Sequence, residues 1–400
     1  MHGCANDSEE LDTAGCEADM SSLPMGSSKR IAIASINRGP GDPRAMQKEA
    51  RALAAAGYEV TYVCNAASGP MARDEHLHIR ALNLPKSRLL LQSIGPGIVL
   101  RAALESQPDA LHVLDPALIR PALRLGRRHG IKVVVDLPED NSKQILQKDY
   151  LGPKAVRQTV SRIYRVLSRH LLPQADLVVA ATPSIAASLP QKCRHITVRN
   201  FPAIADIDAI RPQELAADTA VLRVAYVGGI SAIRGIRELV SAAGLMEGRA
   251  ELHLAGPVDD EAFLAEIRSM PGWQYCVYHG WLDWHASIAL IKACHVGACM
   301  MQDAPNQTEA LPVKVFEYMA CSKPSVVSCF PLWRRLFAGA ALFADPVKPA
   351  STAQRLEQLA AHPRLADRLA LRGRSMVEQD YSWEHEAEKL VSGYASLWIR

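Results

Sequence analysis

Two doubly wound α/β domains in tandem are predicted by three features of the chain. Short apolar runs of strand length alternate with helical stretches along most of its 400 residues, as expected for βα units around a parallel sheet. The alternation breaks between Ala203 and Ala220, where no strong period holds and Pro212 intervenes, and then begins again. A length of 400 residues also exceeds one ordinary core at the usual ~150 residues per domain.

The elements follow in order. Residues 31–36 form a buried-strand run, 37–44 a loop, and 45–56 a helix that Gly57 closes at a C-cap position. Residues 59–64 complete a first βαβ unit. The loop is not GxGxxG, so a dinucleotide fingerprint is absent. Further strands are expected at 78–82, 110–113, 132–136, 176–181 and 196–199, with helices at 98–106, 117–129 and 154–172. The second series places strands at 223–227, 250–255, 275–278, 296–301 and 325–328. Its helices are expected at 236–245, 261–270 and 284–293, with a terminal helix from Tyr381 to Trp398. The domains are therefore set at 29–205 and 206–380, with a tail at 1–28 and a closing helix at 381–400. Ligands of such a pair belong at the carboxyl ends of the strands, in the cleft between domains.

Composition narrows the classes. Nearly half the residues are apolar, and the net charge of +3 is too small to argue for nucleic acid. Residues 1–28 hold six acidic and no basic side chains, so the remaining chain carries +9. That polar tail is expected to be disordered. The nine cysteines are scattered; Cys294 and Cys299 lack CxxC spacing, and no Cys/His cluster has zinc spacing. Buried, reduced thiols of a cytosolic protein are the expectation. No basic segment precedes an apolar core at the N-terminus, so no signal peptide is read there. No apolar run reaches the ~20 residues of a spanning helix; the nearest, 89–100, is broken by Gln92, Ser93, Gly95, Pro96 and Gly97.

The stretch 309–324 concentrates the chemistry. It reads as a loop becoming a helix, with Asn306, Gln307 and Thr308 as polar caps, Pro312 in the first turn and an apolar stripe of Val313, Phe316, Tyr318 and Met319. Pro324 is expected to end the helix before the strand 325–328. A helix start with Lys314 beside it suits a phosphate, while Glu309 before the helix and Glu317 within it suit sugar hydroxyls. On their own the two glutamates describe a solvated surface helix more readily than a binding site.

Neighbouring motifs bear on that choice. From about Arg30 to its C-terminus the chain resembles retaining glycosyltransferases of the family 4 type, which have the two-domain GT-B fold. Asp42-Pro43-Arg44 is similar to the loop after the first strand in a polysaccharide-making subgroup, and Asp136-Leu137-Pro138-Glu139-Asp140 resembles its Asp-Val-His-Glu-Asp motif. Arg199-Asn200-Phe201-Pro202 resembles the hinge, and Tyr226-Val227-Gly228-Gly229 through Arg234-Gly235 the loop that holds the donor diphosphate. The stretch from Glu309 to Glu317 resembles the Glu-x7-Glu motif in the form Pro-x-Lys-x-Phe-Glu-Tyr, and Tyr381-Ser382-Trp383-Glu384 the start of a helix that crosses back onto the N-terminal domain.

The resemblance implies transfer of a sugar from a nucleotide diphosphate sugar to a glycan or lipid-linked acceptor, with retention and without a metal or other cofactor. It implies donor contacts from Gly228, Gly229, Arg234, Gly235, Glu309, Lys314 and Glu317. Glu317 would take the ribose, Glu309 the donor sugar, and Arg234 and Lys314 the charge growing on the leaving diphosphate. Two departures stand out: Gly229 replaces a basic residue, and Pro138 replaces the subgroup histidine. Acceptor-side candidates are Asp42, Arg44, His112, Asp115 and Glu139. A loop salt bridge is the competing reading of Asp42 and Arg44, and capping that of His112 and Asp115. Bacterial surface polysaccharide synthesis is the implied setting. A sugar-nucleotide epimerase, or a non-catalytic sugar-nucleotide binder suggested by Pro138, are the alternatives. Arg162, Arg165 and Arg169 share one helix face with Arg157 nearby, and Arg120, Arg124, Arg127, Arg128 and Lys132 form a second basic set. Either they are solvated, or they lie against the cytoplasmic face of an anionic membrane.

Overall fold

The apolar runs become the strands of two parallel sheets. The structure, a computed structural model, describes residues 29–66, 77–146, 151–215, 221–258, 260–304 and 311–399. The first sheet comprises β1 (Arg30–Ala34), β2 (Glu59–Asn65), β3 (Leu77–Leu82), β4 (Ala110–Val113), β5 (Lys132–Leu137), β6 (Leu177–Ala180) and β7 (His195–Thr197). Its order is β3-β2-β1-β4-β5-β6-β7. The second comprises β8 (Leu222–Val227), β9 (Ala250–Ala255), β10 (Cys276–Tyr278), β11 (Val296–Cys299), β12 (Ser325–Ser328) and β13 (Ala341–Ala344), ordered β10-β9-β8-β11-β12-β13. Central strands are buried on both faces, which is why they read as continuous apolar runs rather than alternating ones.

Strand order reverses between β1 and β4 in one sheet and between β8 and β11 in the other. At such a switch point the two flanking loops part, leaving a crevice at the carboxyl ends. Both candidate regions lie on these loops: 35–44 after β1 and 228–235 after β8.

The helices are α1 (Arg51–Ala55), α2 (Arg88–Glu105), α3 (Pro116–His129), α4 (Asn141–Leu146), α5 (Lys154–Leu171), α6 (Pro183–Ser188), α7 (Ile204–Ala209) and α8 (Ile236–Leu245). They continue as α9 (Glu261–Arg268), α10 (Trp284–Ala293), α11 (Val313–Ala320), α12 (Pro331–Leu336), α13 (Pro349–Ala361), α14 (Pro363–Asp380) and α15 (Trp383–Ala395). Several expectations need correction. The helix expected at 45–56 starts as a π turn, Ala45–Ala50, closed by bonds such as Glu49 N to Arg44 O at 2.9 Å. The helix expected at 98–106 starts at Arg88 and runs through Gly95-Pro96-Gly97. There Gly95 is buried against Ile36. Pro312 is the N-cap of α11 rather than a first-turn residue, and α11 ends at Ala320, because Ser322 turns left-handed at φ 54° two residues before Pro324. The stretch 203–220 contains α7. The acidic tail and the caps at 306–308 lie outside the described residues.

The closing helix α15 packs on the first domain. Glu386 accepts from Arg199 N at 2.8 Å and Nε at 2.9 Å, and Trp383 N donates to Pro202 O at 2.8 Å. Gly393 sits against β7, where an added Cβ would meet Ile196 Cδ1 at 2.6 Å. An aromatic knot joins the linker to the second domain: Phe201 lies 4.9 Å from Phe316 and 5.2 Å from Tyr381.

Candidate active site

The crevice of the second domain is built from glycines that let backbone and cation come close. Gly228 follows β8 at φ 135°, and a side chain there would put Cβ 2.8 Å from Lys314 Nζ. Gly235, at φ 74°, starts α8; its Cβ would fall 1.7 Å from Met300 O, so only glycine fits. Tyr226 donates its hydroxyl to Gly229 O at 2.8 Å and spreads its ring 3.9 Å beneath the Lys314 ammonium. That ammonium is buried and has no hydrogen-bond partner among the described residues. Burial pulls its pKa down to about 8, with Cys299 and Glu317 opposing and Arg234 adding to the effect. Arg234 reaches Met301 Sδ at 3.9 Å and has no carboxylate partner among the described residues.

Two uncompensated cations thus flank a glycine loop and the start of a ten-residue helix. An anion is the natural complement, since an orphaned buried ammonium costs free energy until it is paired. Glu238 lies in the first turn of α8, where a carboxylate is favoured by the helix dipole, and its Oε2 has no hydrogen-bond partner among the described residues. Three residues beyond Lys314, on the same helix, Glu317 accepts from Trp284 Nε1 at 3.1 Å. Burial pushes its carboxyl up, and the Lys48 ammonium of the first domain is the strongest influence against that. Glu309 lies outside the described residues.

Lys48 was not singled out from the sequence. The π turn aims its ammonium at the hinge, 2.7 Å from Asn200 Oδ1 and 2.6 Å from Phe201 O. Burial holds its pKa near 8, and Glu317 is the foremost opposing influence. A lysine in a helical stretch gives no sequence signal for this; the π register that turns it inward depends on tertiary packing.

The acceptor-side candidates divide. Asp42 Oδ1 caps the π turn through Arg44 N at 3.0 Å and Ala45 N at 2.7 Å, while Arg38 pairs with its other oxygen at 2.7 Å. Asp115 binds the β1 loop, accepting from Ser35 Oγ at 2.7 Å, Ile36 N at 2.7 Å and Asn37 Nδ2 at 2.6 Å. Arg44 is buried between Asp136, to which Nη2 donates at 2.9 Å, and Glu49, 2.9 Å from Nε. Burial opposes its charge, but Asp136 and Glu49 outweigh it and hold the guanidinium above its ordinary pKa. His112 is fully buried, with Nδ1 2.6 Å from the Tyr394 hydroxyl of α15, and burial lowers it to about 4. Asp42, Asp115 and Arg44 are thus bonded to internal partners, while His112 keeps its Nε2 without a hydrogen-bond partner among the described residues. Glu139 is exposed at the end of β5, where Gln144 bonds it.

Glu49, His112 and Asp136 place ligand atoms within 4.8 Å of one another. The Arg44 guanidinium lies against both carboxylates and balances one of them, while burial and the neighbouring Asp136 push the Glu49 carboxyl up to about 8. Among the described cysteines burial raises most thiols, Cys64, Cys276, Cys294 and Cys321 to about 12.

Comparison with known proteins agrees with this geometry. A glycosyl transferase 4-like domain model matches residues 43–194, and a glycosyl transferase-like model matches residues 234–392. Among solved structures, sucrose-phosphate synthase from Thermosynechococcus elongatus superposes with a TM-score of 0.68 at 19% identity, covering 92% of this chain and 99% of that one. A glycosyltransferase from Rickettsia africae gives 0.68 at 12% identity, covering 93% and 99%. HepE of Anabaena, solved in complex with UDP, gives 0.64 at 14% identity, covering 92% and 100%. No curated protein matches the sequence. With two glycosyltransferase domain models in tandem, together matching more than half of it, on a fold shared with these structures, the chain belongs to the glycosyltransferases of GT-B fold.

Proposed function

We propose that the chain transfers a hexosyl group from a nucleoside diphosphate sugar to a glycan or lipid-linked acceptor, with retention and without a divalent metal, in assembling a bacterial surface polysaccharide at the cytoplasmic face of a membrane. The observation that carries the donor half is the buried, unpartnered Lys314 ammonium beside the Gly228-Gly229 loop, with Arg234 close by. Bond cleavage between sugar and diphosphate places negative charge there, and fixed cations act on charge as it develops. In this reading Glu317, which the Trp284 indole holds, accepts from ribose hydroxyls, and Glu309 is assigned to the donor sugar by its motif. UDP, seen with HepE, is the first nucleotide to test. Among the described residues no helix is long and apolar enough to cross a membrane, so contact with the bilayer would be peripheral.

The test is transfer from UDP-, GDP-, ADP- and dTDP-sugars in excess EDTA, with the product's anomeric configuration read by NMR. A retained configuration with unchanged rate in EDTA supports the reading. Inversion, or a strict metal requirement, overturns the corresponding part. Pro138 motivates one competing reading, a non-catalytic binder, which would bind donor yet neither transfer nor hydrolyse it.

A further inference from the structure

The arginines of α3 stand on a face that nothing in the described fold answers. At ~3.6 residues per turn, Arg120, Arg124, Arg127 and Arg128 share one stripe, opposite the buried side of the helix. All four are exposed, and none has a hydrogen-bond or ion-pair partner among the described residues. α3 contains no Asp or Glu. Neither does α5, which packs beside it with five Arg or Lys of its own. Like charges one turn apart repel one another, so an anion laid along the stripe would stabilise it.

The start of β1 lies at the same edge of the sheet as the foot of α3. The helix ends at Gly130, left-handed at φ 69°, and β5 begins two residues later at Lys132. Lys132 N donates to Asp109 O at 3.0 Å, and Asp109 N donates to Arg30 O at 2.7 Å. The starts of β5, β4 and β1 are therefore neighbours, two strand spacings of ~4.8 Å apart from first to last. Carboxylates of this edge are already spent: Asp109 accepts from Lys29 Nζ at 3.3 Å, and Asp176 accepts from Lys132 Nζ at 2.9 Å. The described chain begins at Lys29. The 28 residues ahead of it hold Asp7, Glu9, Glu10, Asp12, Glu17 and Asp19, with no Lys or Arg. A coil of that length spans roughly 30 Å, more than the ~21 Å of α3, and such a tether gives a millimolar effective concentration.

We infer that residues 7–19 dock on the α3 stripe of their own chain, carboxylates against arginines, and so hold that face against other polyanions. Charge complementarity and the point where the described chain begins select this occupant. Exposed ion pairs are weak one by one; the tether lets several hold together. A second copy of the chain would bring the same carboxylates without the tether. The inference does not draw on the transfer reading.

Zero-length carbodiimide cross-linking joins a carboxylate to an amine in contact with it. It is applied to the full chain with Arg124→Lys and Arg128→Lys, which keep the charge and add the amine. Cross-links from residues 7–19 should collect at positions 124 and 128 within the monomer at low salt. They should be lost at ~0.5 M salt, where the Debye length falls to ~4 Å. Cross-links spread evenly over exposed Lys154, Lys192 and Lys348, or found only in a dimer, overturn the proposal. The second arm is binding of a fluorescent hexa-aspartate peptide to the full chain. Asp7→Asn, Glu9→Gln, Glu10→Gln, Asp12→Asn, Glu17→Gln and Asp19→Asn together should tighten it about tenfold, by removing the tethered competitor. Arg120→Gln, Arg124→Gln, Arg127→Gln and Arg128→Gln added to these should abolish the gain. Unchanged affinity in the amide variant, or a gain that survives loss of the arginines, overturns the proposal. Vesicles of phosphatidylcholine with phosphatidylglycerol test the remaining occupant. Binding that needs the four arginines and ignores the amide substitutions would assign the face to an anionic surface and overturn the docking.

Discussion

At Lys314 and Gly235, single atoms decide what the crevice can hold. The Lys314 ammonium is unpaired among the described residues and near its titration point, so a bound diphosphate would favour its protonated form and draw in a proton. The sign follows: nucleotide affinity should be full below pH 8 and fall as pH rises through about 8, at most tenfold per pH unit for one proton. Calorimetry across pH 6.5–9.5 (about three units around that value) checks this. Lys314→Arg, always charged, should flatten the profile, whereas Lys314→Met should cost ~100- to 1000-fold in kcat/KM, as for loss of one charge-stabilising donor. Gly235→Ala should lower stability by at least ~1 kcal/mol, from a left-handed φ and a Cβ inside Met300 O, and should weaken nucleotide binding with it. A melting temperature equal to wild type would contradict that geometry.

Among the elements, the strands and the motif helices were legible and the junctions were not. β4, β9 and β12 and helices α8 and α10 fall on the residues expected, because buried parallel strands and helices begun by Gly235 or capped by Asp283 leave strong local patterns. The π turn of 45–50 and the start of α2 were illegible, because they depend on a register and on tertiary contacts that propensity does not encode. In the second domain the sequence marks the loop through glycines that the backbone requires, Gly228 at φ 135° and Gly235 at φ 74°. In the first it does not separate internal partners from ligand contacts, because Arg44 and His112 are residue types that serve as either. The Tyr394–His112 bond makes one such pairing testable. Tyr394→Phe removes the hydroxyl 2.6 Å from a fully buried imidazole and should cost ~1–3 kcal/mol of stability, read from the denaturant midpoint.

Over the whole molecule, Lys48 links the domains. It sits on the first domain, bonds the hinge at Asn200 and Phe201, and lends its charge to Glu317 of the second. The aromatic knot of Phe201, Phe316 and Tyr381 surrounds the same hinge, each ring pair adding ~0.5–1.5 kcal/mol beyond its burial. Lys48→Met should therefore let burial raise the Glu317 carboxyl further. Nucleotide affinity should drop about tenfold at neutral pH, for one weakened charge-assisted bond, and part of it should return as pH rises. A wild-type affinity in that variant would show that the domains do not share the site.

The most direct measurement is isothermal calorimetry of UDP, GDP, ADP and dTDP, without metal, against wild type, Lys314→Met and Glu317→Ala. The account predicts that one nucleotide family binds wild type and that both substitutions weaken it, with Lys314→Met, which removes an unpaired buried ammonium, not lowering the melting temperature of the free protein. Absence of binding by every nucleotide, or binding indifferent to both substitutions, would contradict the assignment of the crevice between β8 and α11 as the donor site.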